Sequence, residues 1–386
     1  MRAAAARALA ALAVVASITL SAPTAAGSAT ASEPAARGLV IEDVLGGDPA
    51  GFARASTPRA FVFPADHGSH PEFRTEWWYF TGTLRAEDGR RFGFQLTFFR
   101  FAVAAEQPPR DSAWATRQVW MAHFAVSDEA GRRFAAHERF ARGALGMAGA
   151  RAAPFRVWLD DWAVDGADRG LAPAVLRARE GDDAIELALS PGKPVVLQGD
   201  AGLSRKSAEP GNASYYYSLT RLPARGVVTV DGVRHTVRGE AWLDREWGTS
   251  ALAADQVGWD WFALRLDDGR ELMFYQLRRR DGTADPASAG SLVEVDGRRR
   301  PLAAGDVRLT ARSTWRSPRS GARYPVAWRL EVPAEGIDLE VVPWLTDQEL
   351  DVSFRYWEGA VDVRGRAGDR AVRGEGYLEM TGYRDG

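Results

Sequence analysis

Residues 77–94 read Trp77-Trp78-Tyr79-Phe80-Thr81-Gly82-Thr83-Leu84-Arg85-Ala86-Glu87-Asp88-Gly89-Arg90-Arg91-Phe92-Gly93-Phe94. Residues 259–274 read Trp259-Asp260-Trp261-Phe262-Ala263-Leu264-Arg265-Leu266-Asp267-Asp268-Gly269-Arg270-Glu271-Leu272-Met273-Phe274. Each stretch opens on aromatics, reaches a leucine, turns at Asp-Gly-Arg and returns with apolar residues at alternate positions. Asp-Gly supplies the positive φ angles that a tight hairpin needs, so both stretches predict β-hairpins. The first copy carries two extra residues before its turn. An even difference leaves the inward and outward faces unchanged, because side chains alternate with period two.

A second echo lies further along. Gly239-Glu240-Ala241-Trp242-Leu243-Asp244 corresponds to Gly374-Glu375-Gly376-Tyr377-Leu378-Glu379. The chain thus divides into halves that each open with an aromatic hairpin and close with a Gly-Glu-x-aromatic-Leu-acid strand, with the boundary near residues 248–256. Further turn signals at Asp231-Gly232 and Asp296-Gly297, and scarce helical periodicity, predict a mainly β protein of two tandem antiparallel β-barrel halves packed together. The first half is longer, with expected insertions around residues 105–117 and 165–180.

The chain of 386 residues has a net charge of −2 and no cysteine. Disulfides, thiolate nucleophiles and Cys-ligated metals are excluded. The balanced charge argues against nucleic acid as a partner, and the short Arg279–Arg280 and Arg298–Arg300 clusters read as solvated loop ends. Arg2 and Arg7 precede an apolar run, Ala8 to Leu20, and small residues follow up to Ala29-Thr30-Ala31. This is the pattern of a cleaved export signal, and the run is short for a bilayer span of ~20 residues. The expected organisation is a signal peptide over 1–31, a linker over 32–58, an N-terminal domain over 59–250 and a C-terminal domain over 251–386. The expected location is periplasmic or secreted.

In the run Glu240 to Gly248, strand alternation puts Glu240, Trp242, Asp244 and Glu246 on one face, and Ala241, Leu243, Arg245 and Trp247 on the other. A row of acids around a tryptophan is either a solvent-facing edge or the wall of a cavity. In a cavity, desolvation and the neighbouring Glu246 would raise the Asp244 pKa and make it a usable proton donor. Consecutive aromatics, Trp77 to Phe80 and Tyr215 to Tyr217, must face both sides of a sheet. That suits a core on one side and a ligand or second layer on the other. The candidate ligand-binding residues are Trp77, Trp78, Tyr79, Tyr215, Trp242, Trp259 and Trp261, with His70, Glu76 and His123. Asp66-His67-Gly68-Ser69-His70-Pro71-Glu72 matches no metal-ligand spacing; His70 and Glu76 are expected to hydrogen-bond loop backbone at a barrel rim. No Gly-x-Ser-x-Gly elbow supports a serine hydrolase.

These segments together resemble the carotenoid 1,2-hydratase/AttH-like superfamily of lipocalin-like proteins. The resemblance rests on Asp66 to Pro71, Glu76-Trp77-Trp78-Tyr79-Phe80-Thr81-Gly82, Tyr215 to Ser218, Ala241 to Gly248, Gly258 to Phe262 and Gly376 to Tyr383. It covers roughly residues 60–386 and is nearest to the exported AttH-like branch. It implies two lipocalin-like halves and a site for an elongated apolar ligand, an isoprenoid, polyene or other lipid. In the hydratases, water adds across a carbon–carbon double bond without a cofactor or metal, and an acid in the segment matching Trp242-x-Asp244 is the suspected donor. Here that implies Asp244 as acid, with Glu246 or Tyr217 as the base for water. Trp242 and Trp261 would stabilise the cation, by ~2 kcal/mol or more when desolvated. A non-catalytic lipid carrier with peripheral contact to the cell envelope, or a secreted hydrolase, are the alternatives.

The A-x-A pattern makes one expectation directly measurable. Intact mass of the exported protein should give a chain starting within a few residues of Ser32. Full-length chain in the cytoplasm would overturn the assignment.

Overall fold

The computed structural model describes residues 49–107, 109–168, 170–249 and 252–384. The segment read as a signal peptide, and the first part of that read as a linker, lie outside the described residues. The first sheet contains β1 (Thr75–Ala86), β2 (Arg91–Ala102), β3 (Gln118–Asp128), β4 (Arg133–Arg142), β5 (Ala148–Ala152), β6 (Phe155–Leu159), β7 (Trp162–Ala167), β8 (Gly170–Glu180), β9 (Asp183–Leu189), β10 (Val196–Leu197), β11 (Leu203–Arg205), β12 (Ala213–Val230) and β13 (Val233–Gly248). The second contains β14 (Gln256–Leu266), β15 (Glu271–Arg279), β16 (Ala289–Val293), β17 (Arg299–Ala303), β18 (Arg308–Arg316), β19 (Arg323–Val332), β20 (Ile337–Pro343), β21 (Glu349–Leu350), β22 (Tyr356–Ala367) and β23 (Arg370–Met380). Short 3₁₀ turns, such as Ala65–His67, are the only helical pieces among the described residues.

The protein is nearly all β, two antiparallel barrel-like sheets of lipocalin type packed together. The first sheet runs β4-β3-β2-β1-β13-β12-β9-β8-β7-β6-β5, and the second runs β17-β16-β15-β14-β23-β22-β20-β19-β18. Placed side by side, β1 corresponds to β14, β13 to β23 and β12 to β22. In both halves the strand that closes the half hydrogen-bonds to the strand that opens it. The Asp-Gly signals sit at hairpin turns, with Gly89, Gly232, Gly269 and Gly297 all at positive φ. One expectation is corrected. Residues 165–167 belong to β7 and 170–180 to β8, and these strands have counterparts in β18 and β19. The extra material of the first half includes the β5–β6 hairpin, the longer segment with β10 and β11 before β12, and the loop before β3, because sequence gaps do not reveal which strands share a sheet position.

Each sheet encloses its own apolar core. Phe80, Phe94, Leu96, Phe98 and Leu243 are among those filling the first, and Phe262, Phe274, Leu339 and Leu378 the second. A third cluster joins them: Tyr79, Tyr216 and Trp242 from the first sheet meet Trp261, Met273, Tyr275 and Tyr377 from the second. Residues 75–84 of β1 and 241–248 of β13 are therefore covered on both faces, which is why these stretches carry large apolar residues at consecutive positions. Polar bonds also cross between the halves, including Gln95 to the Tyr356 hydroxyl at 2.9 Å and Ser127 to Gln348 at 2.6 Å.

A buried ionic group fastens the loop before β1. Glu76 is wholly buried and pairs with Arg100 and Arg245, which are equally buried. Both Glu76 carboxylate oxygens accept from the His70 amide at 3.0 Å. Arg100 also donates to the His70 and Phe73 carbonyls at 3.0 and 2.7 Å. The Arg245 guanidinium lies over the Trp78 ring, 3.8 Å from its centroid, and the His70 ring stacks on Trp247 at 3.9 Å. Burial pushes the Glu76 carboxyl up, but the Arg100 and Arg245 charges outweigh it and hold Glu76 well below the usual range.

Removing that charge leaves two buried guanidinium groups without their shared partner. Glu76→Gln should cost roughly 3–5 kcal/mol, read as a lower urea midpoint at pH 7. Because the folded pKa is depressed, this contribution is present above the unfolded pKa and is lost as pH falls below it. The wild-type–variant gap should therefore shrink in acid. A loss under about 1 kcal/mol at pH 7 would show that the group is not the fastening.

Candidate functional site

Where the sheets meet, the facing side chains do not fill the space completely. They leave a partly enclosed cavity of about 90 Å³ that opens to solvent at its mouth. The first sheet contributes Trp77, Tyr79, Phe99, Phe101, Met121, Tyr216, Asp244 and Glu246, with Lys206 from the loop before β12. Beyond the boundary come Trp259, Trp261, Tyr275, Leu277, Phe354, Tyr356, Glu379 and Thr381.

The register explains this composition. Trp77 opposes Phe99 and Glu246, and Tyr79 opposes Asp244. In the second half Trp259 opposes Leu277, and Trp261 opposes Glu379. On the far side of each acid, Asp244 faces Ser218 and Glu379 faces Glu358. Internal repetition therefore puts Trp77 and Trp259, Tyr79 and Trp261, and Asp244 and Glu379 at equivalent places on two walls of one cavity.

Asp244 is 3% exposed and fully engaged. Its Oδ1 accepts from the Ser218 hydroxyl at 2.5 Å and from Trp242 Nε1 at 2.8 Å, and its Oδ2 accepts from the Tyr216 hydroxyl at 2.5 Å. Trp261 Nε1 donates in turn to the Tyr216 oxygen at 3.3 Å. Burial pushes the Asp244 carboxyl up to about 7, against those three hydrogen bonds, and the Glu246 charge adds to the rise. Both hydroxyl neighbours can accept as well as donate, so the site can hold Asp244 as acid or as carboxylate. Glu246 has a different role: it pairs with the Lys206 ammonium at 2.8 Å and accepts from Ser214. Burial opposes the Lys206 charge, but Glu246 wins and raises its pKa. The ammonium also sits 4.5 Å from the Tyr275 ring centroid.

Of the residues singled out in the sequence, Trp77, Tyr79, Asp244, Glu246, Trp259 and Trp261 line the cavity. Trp242 stands behind Asp244 as a hydrogen-bond donor. His123 stands behind Tyr356, with Nδ1 2.8 Å from its hydroxyl and Nε2 3.0 Å from Glu138. The rest lie on the opposite face of the sheet. Trp78 stacks on Trp120 in the first core, and Tyr215 donates to the Thr57 carbonyl at 3.0 Å. His70 and Glu76 belong to the ionic fastening. Tyr217, read as a candidate base, meets His67 Nδ1 at 2.6 Å and does not reach the cavity. Its neighbour Tyr216 does, because adjacent strand residues point to opposite faces. Alternation separates Tyr216 from Tyr217 in the sequence, but which of them faces the cavity depends on the β12–β13 register; Glu379 was identifiable from the repeat that aligned it with Asp244. Lys206 and Tyr356 carried no such signal, since their approach depends on how the halves pack.

The AttH-like family model matches residues 54–383, essentially the whole described chain. The chain belongs to the AttH-like family. A crystal structure of an AttH protein from Nitrosomonas europaea is 37% identical, covers 86% of this chain and 100% of its own, and superposes with a TM-score of 0.76. Kievitone hydratase from Nectria haematococca shares the fold at 13% identity, with a TM-score of 0.66 over 86% of this chain and 96% of its own. No curated protein sequence matches the chain. The two-half arrangement is therefore common to an AttH-like protein and to a hydratase of distant sequence.

Three tryptophans on the cavity wall make occupancy observable. A conjugated apolar polyene such as retinol should quench tryptophan emission saturably. Trp261→Phe should remove more of that quench than Trp162→Phe, whose indole is buried in the first core. Equal losses would mean that the polyene does not enter this cavity.

Proposed function

We propose that this AttH-like protein binds an elongated apolar ligand, of isoprenoid or lipid type, between its two halves, and that Asp244 protonates a double bond of that ligand without a cofactor. The observation that carries this reading is a desolvated acid at the base of an aromatic cavity. A carboxyl with a pKa of about 7 is half protonated at neutral pH, so it is poised both to give and to regain a proton. Protonation of a trisubstituted alkene leaves a tertiary carbocation. The faces of Trp77, Trp259 and Trp261 and the rings of Tyr79 and Tyr216 surround the space where that charge would form, and aromatic faces attract cations. Water addition, proton loss or ring closure can follow. The reading is also supported by the shared fold with a hydratase. The apolar walls favour a hydrocarbon chain, and the export pattern of residues 1–31 supports a ligand of the cell envelope or the exterior.

A carrier without turnover is favoured by one observation: the Asp244 oxygens are already satisfied by Ser218, Trp242 and Tyr216. In that reading the acid is a structural polar floor beneath a lipid.

Asp244→Asn separates the two. It keeps the side-chain shape and removes the transferable proton. With acyclic polyenes carrying trisubstituted terminal double bonds, turnover should fall by about 10²–10⁴-fold while the binding constant stays near wild type. The wild-type rate should decline as pH rises through about 7, because the donor is lost on deprotonation. Binding without turnover in the wild type across acyclic carotenes and C20 isoprenoids would leave the carrier reading.

A further inference from the structure

The cavity contains a second acid that the Asp244 chemistry leaves unused. Glu379 lies on the wall built by the second sheet and is related to Asp244 by the internal repeat. Trp259 Nε1 donates to Glu379 Oε1 at 2.5 Å, as Trp242 Nε1 does to Asp244. Where the first half sets Ser218 beside its acid, the second half sets another carboxyl: Glu358 directly opposes Glu379 across the β22–β23 pair. Glu358 is completely buried. Its Oε1 accepts from the Tyr79 hydroxyl at 2.5 Å, which ties it to the first sheet. Its Oε2 is buried without a hydrogen-bond partner among the described residues, and the residue that faces it across the strands is Glu379.

Two carboxylates cannot hydrogen-bond to one another without a proton between them, because an ionised carboxylate only accepts. Nor, among the described residues, does an ion pair neutralise Glu358 or Glu379. The cation that lines this cavity, Lys206, is held by Glu246. We infer that Glu379, backed by Glu358, is a second proton-carrying group of this cavity, sharing one proton across the two strands and facing the ligand from the wall opposite Asp244. The inference rests on the reading of Asp244 as proton donor. Its energetic basis is consistent. Burial raises both carboxyls, and Glu379 is pushed up to about 7 while Glu358 is raised well above its usual value, with the Glu379 charge adding to it.

The division of labour in a water addition balances as follows. The Asp244 O–H bond breaks as a C–H bond forms, leaving a carbocation and the Asp244 carboxylate. Water oxygen bonds to the cation, and the proton it sheds is taken by the singly protonated Glu358–Glu379 pair. Return of one proton from the pair to Asp244 through solvent restores both groups, so the net reaction consumes one alkene and one water and yields one alcohol. Glu246, engaged with Lys206 and Ser214, is then not needed as the base.

The test uses the whole mature protein. The titratable groups packed around the pair are Tyr79 on β1, Tyr356 on β22, Tyr377 on β23 and Glu246 on β13, with Lys206 beyond Glu246. The tyrosines are all raised by burial and remain neutral. Infrared spectra near pH 6 should show protonated-carboxyl stretches that shift in D2O. One component should disappear in Glu379→Gln and in Glu358→Gln, and a different one in Asp244→Asn. Trp259 emission in the wild type should titrate with the pair, and that titration should vanish in Trp259→Phe. This arm needs no carboxyl variant to fold. An acid stretch unchanged in both glutamine variants, or a Trp259 emission flat from pH 5 to 9, would overturn the shared proton. With an acyclic polyene as probe, Glu379→Gln should lower turnover by about 10²–10⁴-fold and leave binding intact. If Asp244→Asn abolishes turnover and Glu379→Gln does not, the second group falls and the donor stands. If Asp244→Asn is silent, the donor reading falls, and with it the role of the pair as its partner, whatever the spectra show.

Discussion

Two sheets that each bury an inner face also share an outer one, and the rest of the structure follows from that double burial. Strands β1 and β13 have the first core on one side and the second half on the other. Along residues 75–84 of β1 and 241–248 of β13 no solvent-facing row is left on which to place charge. Their polar side chains must find partners inside the protein, because an unpaired buried polar group costs several kcal/mol. On one side of the sheet the solution is Glu76 between Arg100 and Arg245. On the other side it is Asp244 between Ser218, Tyr216 and Trp242.

The two solutions have opposite chemistry. Glu76 meets full positive charges, and its proton is driven off. Asp244 meets only neutral donors, and dipoles do not repay the loss of water as a counter-charge would, so its carboxyl keeps a high pKa. The same type of side chain, separated by a single sheet, becomes a structural anion in one case and a carboxyl of raised pKa in the other. The contrast is set by what faces each residue. Arg245 and Asp244 are adjacent in sequence, yet strand alternation sends one to the fastening and the other to the cavity.

The internal repeat gives the cavity its paired walls. Aromatic residues recur at equivalent positions, so the space between the sheets is apolar from both directions. The acids recur as well, but their settings differ. Asp244 is supported by hydroxyls and an indole, whereas Glu379 is supported by an indole and a second carboxyl. Repetition set the positions, and divergence at Ser218 and Glu358 made the two walls chemically unequal. The related AttH protein from Nitrosomonas europaea covers both halves, so the paired arrangement is that of the AttH-like unit as a whole.

Much of this was legible in the amino-acid sequence. The Asp-Gly turns with alternating aromatics specified hairpins, and the echo of Trp77–Phe94 in Trp259–Phe274 specified two halves, because turn geometry and strand alternation are local properties of the chain. The same alternation put Trp242, Asp244 and Glu246 on one face. It also separated Tyr216 from Tyr215 and Tyr217, although which side held the cavity was not a local property. Only the packing of one sheet on the other decided that Trp77 lines the cavity while Trp78 fills a core, that His123 supports Tyr356 from the second half, and that Glu246 is neutralised by Lys206 from a distant loop. Those contacts join residues far apart in the chain, and no local preference encodes them. The pKa of Asp244 belongs to the same class. Its sequence neighbours show only that it is an acid beside a tryptophan, while the loss of water that raises its pKa comes from the packing of the two halves around it.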